Sequence, residues 1–197
     1  MHHAFNLSIS QDVQKLAEQI LSKKEMMFAE NIAKELLQNT HREHAIEVLR
    51  NIVGTKPKRP VYYLNLAIRR LPDETRNVVR YAGDFIDQAL KHFAHEKGKY
   101  LLKSFALRRS LGPNLKKLKG VLQDDLIEKL RNFNDLIYVR AKHRWEVGSR
   151  PHLFSATEAV LVCFMVKKLV DDVVPFSVEV GLYLEGKMLN YHNTDPS

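Results

Sequence analysis

The run Ala159-Val160-Leu161-Val162-Cys163-Phe164-Met165-Val166 is the longest unbroken apolar stretch of the chain, and it leaves a helix no side to give to water. Such an element must be wrapped by other protein segments or by lipid. Eight residues fall well short of the roughly 20 needed to cross a bilayer, so wrapping by protein is the reading. The flanks say where this helix starts and stops. Ser155-Ala156-Thr157-Glu158 is a capping box, in which the serine covers one free amide while the glutamate reaches back to another, and Pro175 forbids continuation. The expected fold is therefore mainly α, a helical bundle with this helix in its middle.

Other segments supply the wrapping. Ser10 is placed to cap a helix running to about Lys23, and Met26 to Leu37 is apolar-periodic. Thr40-His41-Arg42-Glu43 has the capping-box pattern and opens a helix that exposes Glu47 and buries Ala45, Ile46, Val48, Leu49 and Val53 in some combination, ending at Gly54. Two prolines in Lys56-Pro57-Lys58-Arg59-Pro60 deny a helix its donors and mark a linker. Residues 1–55 thus form an N-terminal helical region and 56–72 a linker with a short helix, Val61 to Leu71. Residues 73–175 form the main bundle. Its opening helix carries Val78, Ala82, Phe85, Ile86, Ala89 and Phe93 at three- and four-residue steps. Leu115 to Ile137 continues that period, with Gly120 as a break. In residues 176–197 the period becomes two, Phe176, Val178, Val180, Leu182 and Leu184 alternating with polar residues, so a small C-terminal β-hairpin or strand is expected. Phe5, Leu7 and Ile9 alternate likewise and suggest a strand for pairing with the tail or a partner chain.

Cys163 is the single cysteine and sits inside the apolar run, which fits a reduced cytoplasmic setting and a core role. No signal-like segment opens the sequence.

Net charge is +8, and its distribution is uneven. Between Lys97 and Lys119 stand Lys97, Lys99, Lys103, Arg108, Arg109, Lys116, Lys117 and Lys119, with no acidic residue among them. Charge of one sign at this density calls for an anionic partner, most economically RNA or another polyanion. Tyr100 and Phe105 interleave it and are suited to stacking on unpaired bases. Weaker basic groups are Lys56/Lys58/Arg59 with Arg69/Arg70, and Arg140/Lys142/Arg144/Arg150; Lys142 and Arg144 extend the expected binding surface.

A polar insert, Arg131-Asn132-Phe133-Asn134-Asp135, interrupts the apolar pattern and is followed by Lys142-His143-Arg144. Arginine to stabilise phosphoryl charge, asparagine to orient and histidine to move a proton are what a metal-independent ribonuclease needs at an RNA 2′-hydroxyl. Arg131, Asn132 and His143 are therefore the candidate catalytic set. On one unbroken helix Arg131 and His143 stand roughly 18 Å apart, so they meet only if the helix ends near Tyr138 or across a dimer interface. The plainer reading is an Arg131–Asp135 pair at i,i+4. His41/His44 and His92/His95 lack the carboxylates that would complete a metal site, and neither metal nor cofactor is expected.

From about Asp73 to Pro175, the helix Thr75-Arg76-Asn77 through Phe93, the turn Ser110-Leu111-Gly112-Pro113-Asn114-Leu115, the helix bearing Leu130-Arg131-Asn132 and the apolar closing helix together resemble the HEPN superfamily. That resemblance implies a dimerising helical bundle with a polar, basic groove, either a divergent ribonuclease of a toxin or defence system or an inactive binding relative. Family ribonucleases carry an arginine followed four to six residues later by a histidine. Here the histidine after Arg131 is His143, twelve residues on, and from Arg140 it is three. The expectation is a HEPN-like homodimer that binds RNA or another polyanion. The competing expectation is a noncatalytic interaction module whose strand-like ends pair with a protein partner.

Overall fold

The structure is a computed structural model; it describes residues 7–53, 62–96, 111–142 and 153–173, apart from the side chains of 62 and 91–96. It is mainly helical, in chain order α1 (Gln11–Ile20), α2 (Lys23–Leu36), α3 (Arg42–Ile52), α4 (Tyr62–Arg69), α5 (Thr75–Glu96), α6 (Leu111–Leu115), α7 (Asp124–Phe133), a π-helical turn (Asn134–Tyr138), α8 (Val139–Lys142) and α9 (Ala156–Val173). The expected C-terminal hairpin and the linker 56–60 lie outside the described residues.

The apolar run lies in α9, and fourteen of that helix's eighteen residues are buried. Burial on all sides requires neighbours on all sides, and α9 packs on α5, α2, α1 and α7. One contiguous apolar core runs from Val13 to Val173. Each fully buried Leu, Val, Ile, Phe or Met in it is worth about 1.5–3 kcal/mol of transfer free energy. Among the described residues no helix is long and apolar enough to cross a membrane.

The capping box at α9 forms as its sequence dictates. The Ser155 N–H donates to Glu158 Oε2 at 2.9 Å and the Glu158 N–H to Ser155 Oγ at 3.0 Å. The same two side chains also hold the segment before α1. Glu158 Oε1 accepts from the Ser10 N–H at 2.8 Å, and the Ser155 hydroxyl donates to the Ser8 carbonyl. Ser10 does occupy the N-cap position of α1, but its side chain makes no cap bond.

Three local expectations are corrected. The first helix ends at Ile20, because Ser22 and Glu25 form their own capping box, with the Ser22 N–H donating to Glu25 Oε2 at 2.7 Å, and start α2. At α3 the N-cap is His41, and no side chain caps it. The turns closed by Gln38 N–H to Glu35 O and His41 N–H to Gln38 O leave Thr40 one position too early. Leu7 is helical and no strand forms over Leu7–Ile9; both residues pack, half-buried, against the core. Glu47 is exposed, and of the apolar candidates Ala45, Ile46, Leu49 and Val53 are buried while Val48 is half-buried against the core.

Candidate nucleic-acid interface

After α6 the chain turns at Gly120, whose φ of 81° suits a residue without a side chain. That turn sends α7 back past α6, and an open cleft of ≈ 560 Å³ lies between them, lined by Gly112, Pro113, Lys116, Lys117, Arg131 and Asp135. Three cations from two separate stretches of sequence thus share one surface with a single carboxylate. Lys116, Lys117 and Arg131 are all exposed.

The expected Arg131–Asp135 ion pair is not among the bridges of the described residues. Asp135 Oδ1 accepts instead from Asn134 Nδ2 at 2.6 Å. Asn134 is buried, and a Cβ at Gly112 would stand 3.1 Å from its Nδ2, so the bare glycine lets the amide lie close beneath the cleft.

The helix does not end near Tyr138. It passes from α7 through the π turn into α8 with right-handed helical backbone at each junction, and runs to Lys142. Arg131 and Lys142 therefore stand about 16 Å apart along one rod. Asn132 is half-buried and is not part of the cleft lining.

The extra residue of the π turn brings Tyr138 over α5. Its ring lies on Gly83, where a Cβ would fall 2.0 Å from Cδ2. The Tyr138 hydroxyl donates to Asp84 Oδ1 at 2.5 Å. Lys142 Nζ sits 3.4 Å from that hydroxyl and 5.1 Å from the ring centroid. Burial, then the Asp84 carboxylate and its hydrogen bond, push the Tyr138 phenol far above its usual value, so it remains a donor. Lys142 is thus exposed, with its ammonium group held beside Tyr138.

The weaker basic groups are partly occupied inside the fold. Arg140 pairs with Asp12 of α1 at 2.7 Å, and Arg70 with Glu74 at 2.5 Å. Lys119 is exposed near the Gly120 turn. Lys97, Lys99, Lys103, Arg108, Arg109, His143 and Arg144 lie outside the described residues, as do Tyr100 and Phe105. His41 and His44 are exposed, the side chains of His92 and His95 are not described, and no metal-ligating cluster occurs among the described residues.

Sequence reasoning found Lys116, Lys117 and Arg131 but not that they meet. It also missed Gly112, Asn134 and Asp135 as parts of one site, although the polar insert on an otherwise apolar helix was the available signal. No protein-family model, no curated protein and no solved structure matches this chain.

Proposed function

We propose that this is a HEPN-like helical protein that binds RNA through phosphate contacts in the α6–α7 cleft. One observation carries the reading: Lys116, Lys117 and Arg131, the last fourteen residues beyond Lys117, line the same surface. Lysine and arginine neutralise phosphates whatever the base sequence, and each contact releases counterions. The family likeness rests on the succession of the long α5, the Gly112-Pro113 turn, the helix of Arg131-Asn132 and the apolar α9. In this reading any cleavage occurs in trans in a homodimer, with His143 of one copy moving the proton and Arg131 of the other stabilising phosphoryl charge.

The test is single-stranded RNA binding by fluorescence anisotropy across a salt series. Three phosphate contacts contribute a log–log slope of about −2, equivalent to a roughly 20-fold loss of affinity between 50 and 200 mM salt. Replacing Lys116, Lys117 and Arg131 together by alanine is expected to flatten the slope by that amount. A response to salt that is flat in the wild type refutes the phosphate reading and leaves the interaction module in its place.

A further inference from the structure

A carboxylate is out of place in a cleft built for phosphate unless it serves another part of the ligand. Asp135 makes no ion pair with Arg131, and its Oδ1 is held from the side by Asn134 Nδ2 at 2.6 Å. The holder is itself fixed, because Asn134 is only 7% exposed and lies against the bare backbone of Gly112. An ionised carboxylate has about four lone-pair directions, so one bond from Asn134 leaves both oxygens able to accept more. The cleft, at ≈ 560 Å³, is within the size range of small-ligand sites of roughly 300–1,000 Å³. Its lining places cations, a carboxylate and the apolar ring of exposed Pro113 around one space.

Among the four RNA bases, guanine alone offers two adjacent donors on one edge, N1–H and N2–H, in the spacing of a carboxylate's two oxygens. Adenine and cytosine offer an exocyclic amino group beside a ring acceptor, and uracil offers one N–H between two carbonyls. Bases in single-stranded RNA are open to recognition on these edges.

We infer that Asp135 is a specificity-determining residue that reads an unpaired guanine while Lys116, Lys117 and Arg131 hold the adjoining phosphates. The inference rests on the RNA reading and adds base selectivity to it. Asn134 positions the carboxylate, and Pro113 offers the base an apolar face.

The experiment compares, by anisotropy, oligouridine with the same oligomer carrying one central guanosine, adenosine, cytidine or inosine, for the wild type and Asp135→Asn. Inosine keeps N1–H and lacks the N2 amino group. The expected result is a roughly tenfold preference for guanosine, a loss of most of it with inosine, and its disappearance in Asp135→Asn. Equal affinity for all oligomers with a steep salt slope overturns base reading and leaves RNA binding standing. A guanosine preference that survives in Asp135→Asn overturns the assignment to Asp135. An absence of salt-dependent binding overturns both. Circular dichroism of Asp135→Asn, an exposed substitution, confirms that the fold is kept.

Discussion

Substitution of Gly83 by alanine should change the sign of its effect according to what stands opposite. In the wild type the new Cβ would fall 2.0 Å from Cδ2, 2.5 Å from Cε2 and 2.6 Å from Cγ of Tyr138, all atoms of one rigid ring. Tyr138 is 1% exposed, so the ring has no open direction in which to swing. Overpacking of this kind costs about 1–3 kcal/mol, and a 2.0 Å approach belongs at the upper end. A displaced ring also gives up its hydrogen bond to the Asp84 carboxylate, about 1.5 kcal/mol more. Against this, alanine in place of glycine inside a helix gains about 1 kcal/mol. The expected net loss is about 3.5 kcal/mol. In a Tyr138→Ala background the clash and the hydrogen bond are both absent, and the same substitution is expected to stabilise by about 1 kcal/mol. Urea denaturation of the four proteins, followed by far-ultraviolet circular dichroism, gives the cycle directly. A loss of similar size in both backgrounds would refute the argument, because it would place the cost of Gly83→Ala somewhere other than the ring of Tyr138.

Glu25 predicts a pH dependence. Burial pushes its carboxyl up, but the Ser22 N–H, the Ser22 hydroxyl and Lys168 together outweigh burial and hold it below its usual 4.5. Because the folded value is depressed, the contribution to stability is present above about pH 4.5 and is lost as pH falls through the lower folded value. The stability difference between wild type and Glu25→Gln should therefore shrink on acidification from pH 6, and a difference that grows would contradict the sign. Cys163 is buried, which pushes its thiol up to about 12. A chromogenic thiol reagent is expected to leave the native protein unlabelled and to label it in urea; prompt labelling in native buffer would show α9 to be exposed. RNA cleavage in the presence of a metal chelator should be lost in His143→Ala, and equal activity in the two proteins, or none in either, removes His143 from the reading.

The sequence was most legible where the chemistry is local. Ser155 and Glu158 are three residues apart, and nothing beyond that turn is needed for their box to form, so pattern and structure agree. Thr40 and Glu43 carry the same signature but fail, because the tight turns after α2 decide which residue enters α3 first, and that is His41. Ser22 and Glu25 were hidden for another reason: apolar periodicity carries the first helix to about Lys23 and opens the second only at Met26, so the box falls across the junction between them. The apolar wrapping of α9 followed from its composition, whereas its neighbours were set by packing across long stretches of chain.

The candidate site was legible as charge and illegible as place. Lys116 and Lys117 stand out in the acid-free stretch, but only the reversal at Gly120 returns Arg131 to face them. The π turn was equally hidden. No propensity marks Asn134–Tyr138 as wider than its neighbours; the turn becomes apparent only with Tyr138 seated on Gly83.

The order of α9 in the chain sets a schedule for folding. The helices it packs against, α5, α2, α1 and α7, all precede it in the sequence. As the polypeptide leaves the ribosome, those helices emerge with their apolar faces directed at a partner that has not yet been made. The faces of those helices that pack on α9 gain their full burial only once residues 156–173 arrive. A chain cut short before α9 should therefore be a collapsed, sticky intermediate rather than a smaller folded protein, and the interval before α9 emerges is when nascent chains are most exposed to aggregation and chaperone capture.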